Sequence, residues 1–258
     1  MNELLELDMH PFSLDVLQKS VHIQKLLGDR HPSRVEPDYK REPDEHEFFH
    51  LGTGTCLVEV LSCCHQLNQI SMYLGNHRQT PAMEKAGINR HSLIVYHVEN
   101  YVIRTQSLLD RVLKLVDAVF HLTNDPRNCR YDVVIKNVKL QVSDVPESVK
   151  SLRTLLSRYS AVRSEVVHYH SIKEDDLRRL DLFFLAERWE RLSPERNLTN
   201  VGGLVKEATQ EVLRGKKKEF VEFNREIASA IAHIFDKLSP YYIREDKALR
   251  LRLSKPIK

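Results

Sequence analysis

An all-α protein is what this sequence predicts, and three observations carry that expectation. The chain holds only eight Gly and ten Pro in 258 residues, too few for a fold built on tight turns. Leu, Val, Glu, Lys and Arg are abundant, as long helices require. One segment, from Ser92 to about Asn124, sets Ile94, Val98, Tyr101, Leu108, Val112, Val116 and Val119 at spacings of three, four and seven. That periodicity draws one apolar stripe along roughly eight turns and forms the spine of the expected fold.

Composition narrows the class further. Hydrophobic residues make up 41% and charged residues 29%, ordinary for a soluble globular chain able to bury a core without disulfides or metals. The 39 basic and 36 acidic residues leave a net charge of +3, so bulk charge gives no argument for nucleic-acid binding and local patches must carry any such reading. The start, Met1 to Asp8, is acidic where a signal peptide needs a basic region, and no apolar run approaches the ~18 residues of a membrane span. The expected compartment is the cytoplasm, with no membrane partner.

Residues 1–90 read as an N-terminal helical extension. Pro11 opens a helix through Val16, Leu17, Val21, Ile23 and Leu27, and Gly28 to Pro43 is a polar, proline-punctuated loop. A second helix is expected from about Asp44 to Leu74. Its Gly52-Thr53-Gly54-Thr55 run lacks the Gly-Lys-Ser/Thr that completes a phosphate loop. Cys56, Cys63 and Cys64 share this helix and Cys129 lies in a later linker, with no Cys-x-x-Cys spacing. Cys63, Cys64 and His65 point about 100° apart on a helix and converge poorly on one ion, so buried reduced thiols are the better reading and no metal site is expected.

Residues 91–258 form the main domain. After the spine, Val133, Val134, Ile135, Val138 and Leu140 make a β-favouring stretch expected to run extended across the helices. Pro146, after the capping-competent Asp144, starts a helix whose stripe is Val149, Leu152, Leu155, Leu156, Tyr159, Val162 and Val166. Read at 100° per residue, Arg163 and His170 fall close to that stripe, while Ser164 and His168 point away. Glu174-Asp175-Asp176 begins a further helix through Leu180, Phe183, Phe184 and Trp189 to about Leu192, with Trp189 expected in the core. A last helix covers Val201 to Leu238, followed by a basic tail that has no acidic residue after Asp246. Its Lys247, Arg250, Arg252, Lys255 and Lys258, with Lys216 to Lys218, are candidates for phosphate contact, although charge runs are more often plain surface.

The chemistry-bearing stretch is Arg163-Ser164-Glu165-Val166-Val167-His168-Tyr169-His170. It joins a permanently charged guanidinium to groups that titrate near neutrality. Spacing alone is uninformative here. With 22 arginines and 13 histidines, chance supplies about three Arg-His pairs at this range, and the chain has four. Arg41 with His46 falls in a loop and Arg90 with His97 straddles a helix start, so only Arg163 lies inside a periodic helix.

A long first helix, a broken connection and a later helix bearing Arg-polar-x-x-x-His resemble the HEPN superfamily, helical domains found in many RNA-cleaving toxins and phage-defence proteins. The run His97-Val98-Glu99-Asn100-Tyr101-Val102-Ile103-Arg104, followed by Leu109-Asp110-Arg111-Val112, is similar to the first helix of a bacterial subgroup. The resemblance covers about Ser92 to Leu238. It implies a helical bundle and a homodimer in which two copies of the motif helix build one cleft. In the ribonuclease members the arginine contacts the scissile phosphate and the histidine assists proton transfer. The ribose 2′-OH then attacks, leaving a 2′,3′-cyclic phosphate without a metal or cofactor. Arg163 and His168 are the implied catalytic pair, with Ser164, His170, Tyr169, Glu99 and Arg104 as supporting candidates, RNA as substrate, and an antitoxin or defence protein as a further partner. The family more often has Asn, Asp or His where this chain has Ser164. Some toxin members carry a modifiable tyrosine two places after the histidine, where this chain has His170. The alternatives are a non-catalytic HEPN module that binds RNA, a nucleotide or a protein, and an unrelated helical scaffold in which Arg163 pairs with a carboxylate.

Overall fold

The computed structural model describes residues 3–28, 39–76, 80–125, 127–169, 175–192 and 201–254. Among them the chain forms helices and no strand. The helices are α1 (Glu3–Glu6), α2 (Pro11–Leu27), α3 (Glu45–Asn76), α4 (Pro81–Lys85), α5 (Arg90–Val119), α6 (Tyr131–Ile135), α7 (Val138–Gln141), α8 (Val145–Leu156), α9 (Ser160–Tyr169), α10 (Asp175–Leu192) and α11 (Val201–Leu253), with short 3-10 turns at Leu7–Met9 and Ser157–Tyr159. The all-α expectation therefore holds. The chain divides into two compact units, one assembled from Met1–His65, Ser107–Leu155 and Glu226–Lys258, the other from Gln66–Gln106 and Leu156–Arg225.

In the first unit, α2 opens where Pro11 needs no amide partner and His10 Nδ1 accepts from the Phe12 amide at 3.2 Å. It buries Phe12, Val16, Ile23 and Leu27. A Cβ at Gly54 would lie 2.4 Å from Ser20 Oγ, so α2 and α3 approach closely at the glycine-threonine run. That run is helical and packs; it forms no phosphate-binding loop. The α3 N-terminus is closed by a reciprocal cap, Asp44 Oδ1 accepting from the Glu47 amide at 2.8 Å and Glu47 Oε2 from the Asp44 amide at 3.0 Å. At the far end of α5, His121 and Thr123 take φ of 48° and 56°, and Lys139 Nζ donates to the Phe120 and His121 carbonyls at 3.3 Å each. Left-handed residues and a cation on the last carbonyls end the helix at Val119, short of the expected Asn124.

The second unit is organised around Tyr101 on α5. Its ring stacks on Phe220 of α11 with centroids 3.6 Å apart, and its hydroxyl donates to Asn224 Oδ1 at 2.8 Å. The Asn224 amide donates in turn to Ser71 Oγ of α3 at 3.1 Å. A buried polar chain thus links three helices with every member partnered, which specifies their register. Tyr159 packs edge-on against Tyr101 and Phe223, and its hydroxyl donates to Glu219.

Several expected elements come out differently. The stretch Val133 to Leu140 is not extended: it forms α6 and α7, with Asn137 Oδ1 capping the Lys139 amide. Only Val134 and Leu140 are buried, while Val133 and Val138 are exposed, and with no neighbouring strand among the described residues the amides are satisfied by short helical turns. The helix from Pro146 begins at Val145, with Ser143 Oγ rather than Asp144 facing its first amide at 3.3 Å, because Asp144 is held by Lys237. That helix also stops at Leu156. Trp189 is 63% exposed instead of buried, as are Leu182 and Leu185 on the same face of α10. The basic tail is helical as far as Leu253, with Lys255 and Lys258 outside the described residues: α11 runs through Pro240 because its buried face continues from Leu238 to Tyr242, Asp246 and Leu249. Packing along that face offsets the interior proline.

Candidate functional site

All the sequence-identified site residues for which the structure gives a backbone lie in the second unit. Arg163 and Ser164 stand on α9, both exposed. His168 and Tyr169 continue the same helix, with side chains outside the described residues, and His170 lies outside the described residues altogether. Glu99 and Arg104 are half-buried on α5, where Arg104 donates to Gln66 Oε1. Neither sits on a fully solvated face.

Arg163, expected close to the apolar stripe, is exposed. Between α8 and α9 the chain makes a 3-10 turn at Ser157–Tyr159, closed by Gln106 donating to the Leu156 carbonyl. Arg163 follows the buried Tyr159 by four residues, about 40° round the helix, so the turn does not carry it off the face of the stripe. The turn buries Tyr159 and leaves Arg163, one helical turn later, in solvent with no ion pair to any described side chain. Along an α-helix, Arg163 and His168 depart about 140° apart, whereas Ser164 and His168 share a face.

Several candidate phosphate contacts are already engaged. Lys216 pairs with Glu219 at 2.9 Å, Lys218 with Glu222 at 4.0 Å, and Arg252 with Glu45 at 3.4 Å. A groove of about 470 Å³ between α10 and α11 has Asp176, Glu207, Glu211 and Glu219 against only Arg179 and Lys216, an acidic balance unsuited to a phosphate backbone.

The first unit holds a denser constellation that the sequence analysis did not single out. His46 and His50, one turn apart on α3, meet Asp246 of α11. Asp246 Oδ1 lies 2.7 Å from His46 Nε2 and 3.2 Å from His50 Nε2, and the two Nε2 atoms are 3.0 Å apart. Tyr242 Oη sits 2.6 Å from His50 Nδ1, while Lys19 Nζ lies 3.2 Å from Asp246 Oδ2 and Arg250 Nε 2.8 Å from Oδ1. His50 is 1% exposed, and burial pushes its imidazolium down to about 4 against the pull of Asp246. Burial also drives Asp246 upward, but hydrogen bonds from His46 and Lys19 outweigh it and hold the carboxyl well below the usual range. Glu47, between the histidines, is kept low chiefly by Arg41, whose Nη1 donates to its Oε2 at 2.7 Å.

Beside this cluster in the sequence, a groove of about 550 Å³ is lined by Phe48, Phe49, Cys56, Asp117, His121 and Cys129 among others. Burial pushes the Cys56 thiol up to about 11 and Cys129 to about 12, so neither is a ready thiolate. All four cysteines are free, and His65 pairs with Asp8 at 2.9 Å rather than joining Cys63 and Cys64.

A family model described as HEPN_Cthe2314-like HEPN covers residues 53–234, a span that takes in Glu99, Arg104, Arg163, Ser164 and His168 and leaves out His46, His50 and Asp246. No curated protein and no solved structure matches the chain.

Proposed function

We propose, from the premise that the chain belongs to the HEPN_Cthe2314-like HEPN family, that it is a metal-independent endoribonuclease whose site is built by Arg163 and His168 in a homodimer. The observation that carries this reading is Arg163 itself: an exposed guanidinium on α9, without a described carboxylate partner, one turn beyond the buried Tyr159 and inside the matched segment. Exposed arginine can bind a phosphate without first breaking an ion pair. In this reading Arg163 neutralises the charge that gathers on phosphorus as the 2′-oxygen attacks, and His168 takes the 2′-OH proton. Its counterpart in the second copy protonates the departing 5′-oxygen, leaving 2′,3′-cyclic phosphate and 5′-OH ends. The 140° between Arg163 and His168 on one helix favours a cleft shared by two copies over a site closed within one.

The second copy also has a surface to meet. Leu182, Leu185 and Trp189 lie within a 60° arc of α10 and are 66%, 44% and 63% exposed, in the same unit as the motif. A homodimer covers this stripe; an antitoxin or defence partner docked there is the competing occupant, separated from it by the mass of the purified protein alone.

Purified chain, Arg163→Ala and His168→Ala are incubated with RNA in the presence of chelator, and the ends are analysed. Cleavage by the wild type to cyclic phosphate ends, lost in both variants, is expected. Cleavage unchanged by both substitutions sinks the assignment. The second reading, a non-catalytic HEPN module, is favoured by the pairing of Lys216, Lys218 and Arg252 with glutamates, which leaves fewer free cations for RNA. Tight ligand binding without any cyclic phosphate product across many RNAs selects it.

A further inference from the structure

We infer that His46, His50 and Asp246 form a binding site for a divalent transition-metal ion of the zinc class, separate from the Arg163 and His168 motif. Two independent observations meet here. The first is in the sequence: His46-Glu47-Phe48-Phe49-His50 is a His-Glu-x-x-His run. On a helix it turns two imidazoles to one side a single turn apart, the arrangement in which two nitrogens share one ion. With 13 histidines and 21 glutamates in 258 residues, chance produces such a run about one time in twenty. The second is in the fold, which brings a carboxylate oxygen from 196 residues beyond His50 onto those same two nitrogens.

The three ligand atoms lie close enough together to hold one ion. The edges of the Nε2, Nε2, Oδ1 triangle are 2.7, 3.0 and 3.2 Å. Three ligands at about 2.0–2.2 Å from one ion in a tetrahedral site lie roughly 3.3–3.6 Å from each other, so the triangle opens by a few tenths of an ångström as the ion enters. Not all of these contacts can be hydrogen bonds at once. His46 Nε2 faces an acceptor, Asp246 Oδ1, and also a donor, Arg250 Nε at 3.2 Å, so it cannot serve both with one proton or one lone pair. Were both histidines protonated at Nε2, two N–H groups would face each other at 3.0 Å, and with Arg250 Nε they would crowd three donors onto one oxygen. A cation takes one lone pair from each of the three atoms. With the His50 proton on Nδ1, where Tyr242 Oη at 2.6 Å accepts it, Nε2 is left unprotonated and aimed at the ion.

Two nitrogens and one oxygen point to a borderline ion such as Zn²⁺, and discriminate against Mg²⁺ and Ca²⁺. The site holds metal without the hydrolytic base that such runs often supply. Both Glu47 oxygens are occupied by Arg41 and the Asp44 amide. Lys19 and Arg250 already neutralise Asp246 and weaken any cation there, and Arg250, 60% exposed, contacts two of the three ligand atoms. It must swing aside when the ion enters.

Full-length protein stripped with chelator is titrated with ZnCl₂ by calorimetry, with Co²⁺ absorption as a second readout of the same site. One equivalent per chain is expected. His46→Ala and Asp246→Ala abolish it, and Tyr242→Phe weakens it about 10–100-fold. Arg250→Met strengthens it about tenfold, a result that a purely structural hydrogen-bond network does not produce. His46 is 17% exposed, so His46→Ala remains informative if changes at buried His50 or Asp246 impair folding, which circular dichroism checks. The inference is overturned if folded wild type binds no Zn²⁺, or if His46→Ala and Arg250→Met both bind it as the wild type does.

Discussion

The two units keep their titratable groups in opposite ways. In the first, His46, His50, Tyr242, Asp246, Lys19 and Arg250 face one another across α2, α3 and α11, and nearly every polar atom has a partner. In the second, the interior is filled by Tyr101, Phe220, Asn224 and Ser71, and the candidate catalytic arginine stands in solvent. A buried polar cluster is costly unless complete, so it contributes position and rigidity. An exposed charge costs little to keep and stays free to meet a phosphate. The spacing statistics run the same way: His-Glu-x-x-His is rare enough to mean something alone, while the Arg-His spacing gains weight only from the family match.

Substitutions that separate the units test this contrast. The largest effects are expected on RNA cleavage, where His168→Ala lowers the rate about 100–10,000-fold and Arg163→Ala about 100–1,000-fold. Because Arg163 is exposed, thermal melting of Arg163→Ala should match the wild type; a drop in melting temperature that accounts for the lost activity breaks the contrast. Asp246→Ala in metal-stripped protein is next. It strands Lys19 and two histidines, costs about 3–5 kcal/mol, and lowers the melting temperature by roughly 6–15 °C. If α9 works independently of this cluster, any cleavage measured well below the melting point is unchanged.

Smaller effects sharpen the picture of each interior. Tyr101→Phe keeps the stack on Phe220 but leaves Asn224 Oδ1 without its donor, a loss of about 1–2 kcal/mol in chemical denaturation. The smallest is Asp117→Asn. Burial raises the Asp117 carboxyl, against the hydrogen bond from Asn124. A carboxyl raised in the folded state favours folding below its ordinary value, and the advantage fades as pH rises through the folded value. At pH 8 the ionised aspartate is therefore a net cost that an uncharged amide avoids, so the variant melts about 1–3 °C higher there and equal to the wild type near pH 3. A gain that persists at pH 3 assigns the effect to something other than ionisation.

The helices were legible because their signal is local. Ile94 to Val119 reads as one stripe in sequence, and every member is buried. Arg163 was legible as a candidate, but its exposure was not: it shares a face with the buried Tyr159 one turn earlier, and a stripe read from spacing does not say where its cover ends. Val133 to Leu140 misled because β propensity reports a pleated neighbour, and here no strand stands beside it among the described residues. Trp189 misled because an apolar residue at helical spacing marks a face without saying what covers it. Pro240 suggested an ending that the buried face through Tyr242 and Leu249 carries past. The run from His46 to His50 is readable in the sequence, but its convergence with a carboxylate is not, since that third member lies 196 residues away.

By itself, then, the sequence determined that the protein is helical, where most of the long helices lie, and its HEPN family, since helices are written in residues within a few turns of each other and the family in a pattern along the chain. Only the tertiary structure decided that Arg163 is solvent-facing, that Arg252 and Lys216 are held by glutamates, and that Asp246 closes on His46 and His50. Those outcomes depend on where distant segments pack and on where the cover of a helix face ends. Neither quantity is written in any local pattern.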